Sequence, residues 1–208
     1  MTESLQTPTG TASIGPSSIG LFPLRTVLLP GAALGLRVFE RRYLDLVRDC
    51  MREGTTFGIC LVLRSDGIDG AETGPPAVPA AFGTEARIED FGSGDDGLLT
   101  LRVRGARRFH VTRTRVRDSG LVVAQVEWCD PDPDDELRPE HALLGTLLQR
   151  ILDQVGGEHA KAPPARFDDA AWVGWRLAEL LPLSDQQRQS LLQQDDPHAR
   201  LDSLLAAL

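Results

Sequence analysis

The basic residues restrict the chemistry of this chain more than any other group. Of its 22 lysines and arginines, 21 are arginine and only Lys161 is lysine. A P-loop needs a Gly-Lys-Ser/Thr step to reach phosphates, whereas Lys161 lies between Ala160 and Ala162. A Ser-Lys dyad or a Schiff-base lysine would have to use this same residue, in a loop rich in Gly, Ala and Pro. The sequence therefore predicts neither a P-loop nucleotide site nor lysine-based catalysis.

Histidine and cysteine are spread along the chain without a recognisable motif. They form no H-E-x-x-H, H-x₃-H or C-x-x-C spacing, and no G-x-S-x-G nucleophile elbow is present. We therefore predict no catalytic residue, no metal site, no cofactor and no disulfide framework, in a reducing cytoplasm. An enzyme whose site is assembled only in the tertiary structure stays an alternative. The residues concerned are His110, His141, His159, His198, Cys50, Cys60 and Cys129.

Two short segments match ligand-binding motifs in part. Gly92–Gly97 has the spacing of a dinucleotide-binding loop, but it joins two predicted strands, and Asp95 and Asp96 would repel a pyrophosphate. We predict a hairpin turn there. The acidic segment 130–136 begins like a calcium loop, yet Asp135 stands where the required glycine belongs, so we interpret it as a solvated hinge.

The overall charge argues against nucleic acid as a partner. The chain has 22 basic and 30 acidic side chains, and its formal net charge of −8 repels phosphate backbones. A concentrated group of arginines next to Phe109 could nevertheless contact RNA, although alternation on the solvent face of a sheet explains most of it. An RNA-binding module is therefore kept as an alternative. The group consists of Arg102, Arg104, Arg107, Arg108, Arg113, Arg115 and Arg117.

Two segments have the composition of irregular chain. Residues 1–20 are mostly Thr, Ser, Gly and Pro, which cannot bury enough apolar area to fold, so a disordered tail is predicted. They lack the features of a signal peptide, and no apolar run reaches the roughly 18 residues of a membrane span. Residues 64–82 are predicted to form a long exposed loop. We expect a soluble, cytoplasmic protein.

The remaining pattern divides into a strand-rich part, residues 21–129, and a helical part, residues 139–208, joined by an acidic linker at 130–138. The first part alternates with strand periodicity, except for one amphipathic helix between Phe39 and Gly54. This favours a mostly antiparallel, barrel-like sheet with an inserted helix. The second part has apolar stripes, N-cap residues and prolines that predict four short helices.

Three stretches resemble the N-terminal substrate-binding domain of Lon proteases. The first is Leu21–Gly31 with the following Leu34 to Tyr43 segment, which is similar to the opening motif of that family. The second comprises Gly83–Ile88 and Leu101–Phe109, which resemble the family's strand, turn and strand. The third is the helical region 168–208.

The resemblance implies an α+β fold: a PUA-like pseudo-β-barrel followed by a four-helix region. It also implies a non-catalytic module that binds unfolded or extended polypeptides in protein quality control. The ATPase and Ser-Lys peptidase modules of full Lon proteases are not expected here, since Lys161 is the single lysine.

The candidate peptide-binding residues lie around the first strands and the inserted helix. We hypothesise that exposed apolar side chains there form a groove, although large apolar residues at this spacing are more often part of the core. Nearby charged residues are expected to be exposed, and Glu40 to pair with an arginine at the helix start. The candidates are Leu28, Leu29, Arg37, Phe39, Glu40, Arg42 and Tyr43.

Overall fold

The computed structural model describes residues 17–63 and 78–208. Its strands are β1 Ser17–Leu24, β2 Ala33–Val38, β3 Phe57–Leu63, β4 Val78–Ser93, β5 Leu99–Val116 and β6 Val122–Trp128. Its α-helices are α1 Arg41–Glu53, α2 Ala142–Val155, α3 Ala170–Leu180, α4 Asp185–Leu192 and α5 Pro197–Ala207. Short 3₁₀ turns occupy Pro139–His141, Glu158–Lys161 and Pro164–Asp168. The mixed α+β fold with one inserted helix is thus confirmed.

The six strands form one sheet that closes into a barrel-like ring. Their order is β2-β5-β4-β3-β1-β6, and β6 pairs again with β5 to complete the ring. β1 and β3 run parallel, and the other pairs are antiparallel. β5 serves two neighbours on one edge because it is 18 residues long: Leu99–Arg104 pair with β2, and Phe109–Val116 pair with β6. The predicted barrel is confirmed, with one parallel pair among mostly antiparallel ones.

The segment boundaries differ from the sequence prediction in places. β1 begins at Ser17, inside the stretch predicted as a tail, while residues 1–16 lie outside the described residues. Likewise β4 begins at Val78, so only 64–77 of the predicted loop lie outside them. The hairpin predicted at Gly92–Gly97 is confirmed: Gly94 N–H donates to Leu98 O at 2.8 Å between β4 and β5.

Helix α1 is amphipathic, as its sequence predicts. Tyr43, Leu46, Val47 and Cys50 are buried, and Gly54 ends the helix in the left-handed conformation, at φ 64°. The sequence left Phe39 open between an exposed binding position and the core. Phe39 precedes the N-cap residue, lies outside the helix and is 68% exposed.

The connection between β1 and β2 is fastened to the barrel through its backbone. Gly31 N–H donates to Gly105 O at 2.8 Å, and Gly105 N–H donates to Ala32 O at 2.9 Å. The Thr84 hydroxyl donates to Leu28 O at 2.6 Å. A Cβ atom on Gly105 would lie 2.2 Å from Leu29 O, so this close approach requires glycine.

The helical region uses the N-caps that its sequence predicts. The Asp169 carboxylate accepts from Trp172 N–H at the start of α3. Ser184 and Gln187 form a reciprocal capping box at α4. Asp196 caps α5 by accepting from His198 N–H. Four α-helices follow the barrel, as predicted.

The barrel and the helical region share one hydrophobic core. A single cluster of buried apolar side chains includes residues of β2, β3 and β5 and residues of α2, α3, α4 and α5. The acidic segment between the two parts contributes to this junction. Its Asp132 side chain is 16% exposed and accepts from Trp175 Nε1 at 2.6 Å and from Arg200 at 2.8 Å. The prediction of a solvated hinge was therefore wrong at this residue, because it neutralises a buried arginine.

Candidate functional site

Three of the predicted binding residues belong to the core. Leu28 and Leu29 are 3% and 2% exposed, and Tyr43 is 7% exposed. Tyr43 stacks on Phe22, with 4.2 Å between ring centroids. Burial raises the pKa of Tyr43, although Arg42 acts in the opposite direction. These side chains do not offer an exposed apolar groove, since the core takes them up.

The other predicted residues lie on the surface near the start of α1. Arg42 forms an ion pair with Glu40 at 2.7 Å, donates to Gly120 O at 3.1 Å and lies over the Tyr43 ring. Arg37 forms an ion pair with the Asp96 side chain in the hairpin turn. Phe39 is exposed among them. Glu40 therefore pairs with an arginine at the helix start, whereas Arg37 pairs with the hairpin turn.

A cleft of about 390 Å³ lies on the opposite, C-terminal side of α1, against β4. We call it the β4 cleft. Two large apolar side chains on its walls are exposed: Met51 of α1 at 42% and Phe91 of β4 at 58%. It is lined by Cys50, Met51, Gly54, Thr55, Thr56, Arg87, Ile88, Glu89 and Phe91.

The strand register explains why Phe91 is apolar and yet exposed. Phe91 pairs with Leu101, which pairs in turn with Leu36 on the other side, so the three side chains lie on one face of the sheet. Leu36 and Leu101 are buried, at 7% and 3% exposed. Phe91 therefore lies on the same face of the hairpin as these core residues, but at an end of the strand that the core does not cover. The sequence alone does not reveal this exposure, because it depends on where the register leaves the end of β4 relative to the core.

The outer face of the same hairpin is occupied by an ion-pair network. Arg104 contacts the carboxylates of both Glu89 and Glu158, and Arg102 contacts the same two groups at 3.3 and 3.4 Å. Hydrogen bonds from Arg104 lower the pKa of Glu89 and of Glu158 and so keep both ionised. Two members of the predicted basic group are thus neutralised within the chain.

Further members of that basic group are also engaged. Arg107 pairs with Glu85 at 3.0 Å and lies over the Trp128 ring. Arg108 is buried and donates to Leu192 O and Gln194 O of the helical region. Within residues 17–63 and 78–208, Arg113, Arg115 and Arg117 are exposed and form no ion pair.

The cysteines do not have the surroundings of activated nucleophiles. Burial raises the pKa of Cys50 and Cys129, and it raises that of Cys60 to about 12. Cys129 borders a cleft of about 510 Å³ that His110 and Glu127 also line. A raised thiol pKa favours the neutral form, which is the opposite of what nucleophilic catalysis requires.

In the part of the chain that the structure describes, no helix is long and apolar enough to span a membrane.

Barrel, inserted helix and helical extension together define the class: a PUA-like pseudo-barrel with a C-terminal helical region. Residues 18–208 match the family model of the ATP-dependent protease La (Lon) substrate-binding domain, so the chain belongs to this family. A solved Lon N-terminal domain protein from Xanthomonas campestris is 63% identical, with a TM-score of 0.77. The match covers 91% of this chain and 98% of that one.

More distant relatives share the same region. Lon protease 2 of Myxococcus xanthus is 25% identical over 93% of this chain, and protein cereblon of Gallus gallus is 26% identical over 72%. This chain spans 24% and 30% of the length of these two proteins. The N-terminal domain of a Mycobacterium avium complex Lon protease shares the fold, with a TM-score of 0.66 at 18% identity.

Proposed function

We propose that this protein is a non-catalytic recognition module that binds unfolded or extended polypeptides through the β4 cleft. The observation that carries the proposal is the exposure of Met51 and Phe91 on one cleft in a chain of the Lon substrate-binding family. Exposed apolar patches of this kind are typical of protein-binding surfaces. A role in protein quality control in the cytoplasm follows from the same proposal.

The electrostatics favour polypeptide over RNA as the ligand. An RNA-binding face would need Arg102, Arg104 and Arg115 to present free positive charge along one groove. Arg102 and Arg104 are instead paired with Glu89 and Glu158. The formal net charge of −8 adds repulsion at long range.

Two binding measurements test the proposal. The full chain is titrated into a labelled, reduced and carboxymethylated lactalbumin, which cannot fold, and separately into labelled total RNA, each at two salt concentrations. We expect saturable binding to the polypeptide that changes little with salt. Binding to RNA alone, weakening steeply with salt, would contradict the proposal.

Three serine variants locate the binding surface. Met51→Ser and Phe91→Ser should each weaken polypeptide binding about fivefold, because each removes apolar area that the ligand would cover. Leu143→Ser is the matched control, since Leu143 is 77% exposed on α2 and is not part of the cleft. Equal losses in all three variants would mean that the surface lies elsewhere.

Phe39→Ser separates this cleft from the surface first predicted from the sequence. Phe39 is 68% exposed but does not line the β4 cleft. We expect binding to be retained in this variant. A loss confined to Phe39→Ser would place the ligand at the start of α1 instead.

A further inference from the structure

The outer half of β4, residues 87–93, has a strand partner on one side only within the described residues. On that side it pairs with β5, from Arg87↔Arg104 to Ser93↔Leu99, with a register shift between Ile88 and Asp90. On the other side β3 stops earlier, because its first pair is Phe57↔Ala86. A strand edge with unpaired N–H and C=O groups is a template for one more strand. We call residues 87–93 the β4 edge.

The backbone N–H and C=O groups of Phe91 point away from β5. Gly94 N–H donates to Leu98 O at the turn, and the pairs of an antiparallel ladder alternate between hydrogen-bonded and non-hydrogen-bonded. Counting back in register from this bonded pair, Phe91↔Leu101 is a non-hydrogen-bonded pair. Phe91 N–H accordingly donates to the Asp90 carboxylate at 2.9 Å rather than to β5.

The β4 edge and the β4 cleft form one surface. Arg87, Ile88, Glu89 and Phe91 belong to the edge and also line the cleft, whose other wall carries Met51. A strand added to this edge would direct alternate side chains to the face that the cleft occupies. Main-chain hydrogen bonds would then select an extended backbone, and the cleft would select apolar side chains at every second residue.

We propose that polypeptides bind by strand addition to the β4 edge, with alternate apolar side chains in the β4 cleft. The inference rests on the proposed function and specifies its ligand: an extended segment of about four residues, matching the regular stretch from Asp90 to Ser93 beyond the register shift. In the free protein the Phe91 N–H donates to the Asp90 carboxylate. When a polypeptide binds, one of its carbonyl oxygens replaces the carboxylate as the acceptor.

Backbone-modified peptides test whether main-chain hydrogen bonds carry the binding. The probe is a labelled nine-residue peptide of alternating Val and Thr, compared with two versions N-methylated at the odd or at the even positions. N-methylation removes the donors on one edge of the peptide. We expect about a tenfold loss of affinity in one of the two versions. Equal affinity of all three peptides would overturn strand addition.

Two substitutions of Asp90 test the replacement step. Asp90→Ala frees the Phe91 N–H and should tighten binding of the unmodified peptide about threefold. Asp90→Asn removes the charge but retains an acceptor oxygen, so its affinity should stay closer to that of the parent protein. The same tightening in both variants would show that the charge of Asp90 causes the effect. It would contradict competition between the Asp90 side chain and the ligand carbonyl for the Phe91 N–H.

Amide hydrogen exchange distinguishes failure of this inference from failure of the proposed function. With carboxymethylated lactalbumin bound to the full chain, the Phe91 and Ser93 amides should exchange at least about tenfold more slowly. Polypeptide binding without this protection would overturn strand addition alone. Absence of polypeptide binding would overturn the proposed function. Protection that grows with protein concentration, without polypeptide, would identify a second copy of the chain as the occupant and would overturn the inference.

Discussion

The β4 cleft and the junction between barrel and helices distribute polar and apolar residues in opposite ways. At the junction, Arg108, Arg176 and Arg200 have side chains only 3%, 2% and 0% exposed. At the cleft, Met51 and Phe91 are large and apolar but exposed. Charged groups are rarely buried without a structural purpose, and exposed apolar groups contribute little to stability. The first region fixes the geometry of the fold, and the second is free to serve a ligand.

Each buried arginine of the junction joins elements that are distant in sequence. Arg108 of β5 donates to carbonyl groups at the end of α4 and just after it, and Arg176 of α3 donates to Pro30 O in the β1–β2 connection. Arg200 of α5 contacts Asp132 and lies 3.5 Å from the Trp175 ring centroid. Burial lowers the pKa of Arg176 and of Arg200, and the carboxylates of Glu179 and Asp132 oppose that effect. The positions of the helices on the barrel therefore depend on these contacts.

The largest loss of stability is expected when Arg200 is removed. Arg200→Ala leaves the mostly buried Asp132 carboxylate without its closest cation and opens space beside Trp175. Removing one partner of a buried ion pair typically lowers the free energy of unfolding by about 3 kcal/mol or more. Urea denaturation followed by Trp fluorescence measures it. Arg113→Ala, on the exposed part of β5, is the control and should change stability by less than about 0.5 kcal/mol.

A smaller loss is expected where the backbone approaches itself inside the barrel. Gly105→Ala places a Cβ atom 2.2 Å from Leu29 O, so the β1–β2 connection must shift. Overpacking of this kind typically costs about 2 kcal/mol. Gly35→Ala is the matched control, because a Cβ there meets nothing within 4 Å. It should be neutral or slightly stabilising, and an equal loss in both variants would contradict the steric explanation.

The ion pairs that join Glu158 to the barrel are expected to make a pH-dependent contribution to the free energy of unfolding. Hydrogen bonds from Arg104 hold the pKa of Glu158 below its ordinary value of 4.5. A lowered folded-state pKa means that the contribution is present above about pH 4.5 and is lost as the pH falls through the lowered pKa. Urea midpoints measured from pH 7 to pH 3 should therefore fall less steeply in Glu158→Gln than in the parent protein. An identical slope would show that the pair is too exposed to matter.

The sequence predicted the elements well because their signals are local. Gly54 ends α1, Asp169 and the Ser184–Gln187 capping box begin helices, and turn residues at Gly92–Gly97 mark a hairpin. Each of these depends on residues within a few positions of one another. The strand pattern also predicted a barrel-like sheet, and the resemblance to Lon domains agreed with it.

The surface was harder to predict because exposure depends on register and on distant partners. Leu28 and Leu29 are buried because Thr84 binds Leu28 O and Gly105 binds the backbone just after them. No sequence spacing indicates these contacts. Phe91 is exposed because its end of the hairpin extends past the core. A polar segment such as the acidic linker was misjudged for the converse reason: the arginine that Asp132 neutralises comes 68 residues later.

The smallest expected effect on stability is at the cleft itself, where the contrast between the two regions is sharpest. Phe91→Ser removes a side chain that is already 58% exposed, so the free energy of unfolding should change by less than about 0.5 kcal/mol. Its effect on polypeptide binding should nevertheless be about fivefold, since only the bound state covers that ring. Stability and binding measured on the same protein sample test this directly. If Phe91→Ser destabilised the fold as much as Arg200→Ala, the cleft would be part of the structural core and the distinction between the regions would fail.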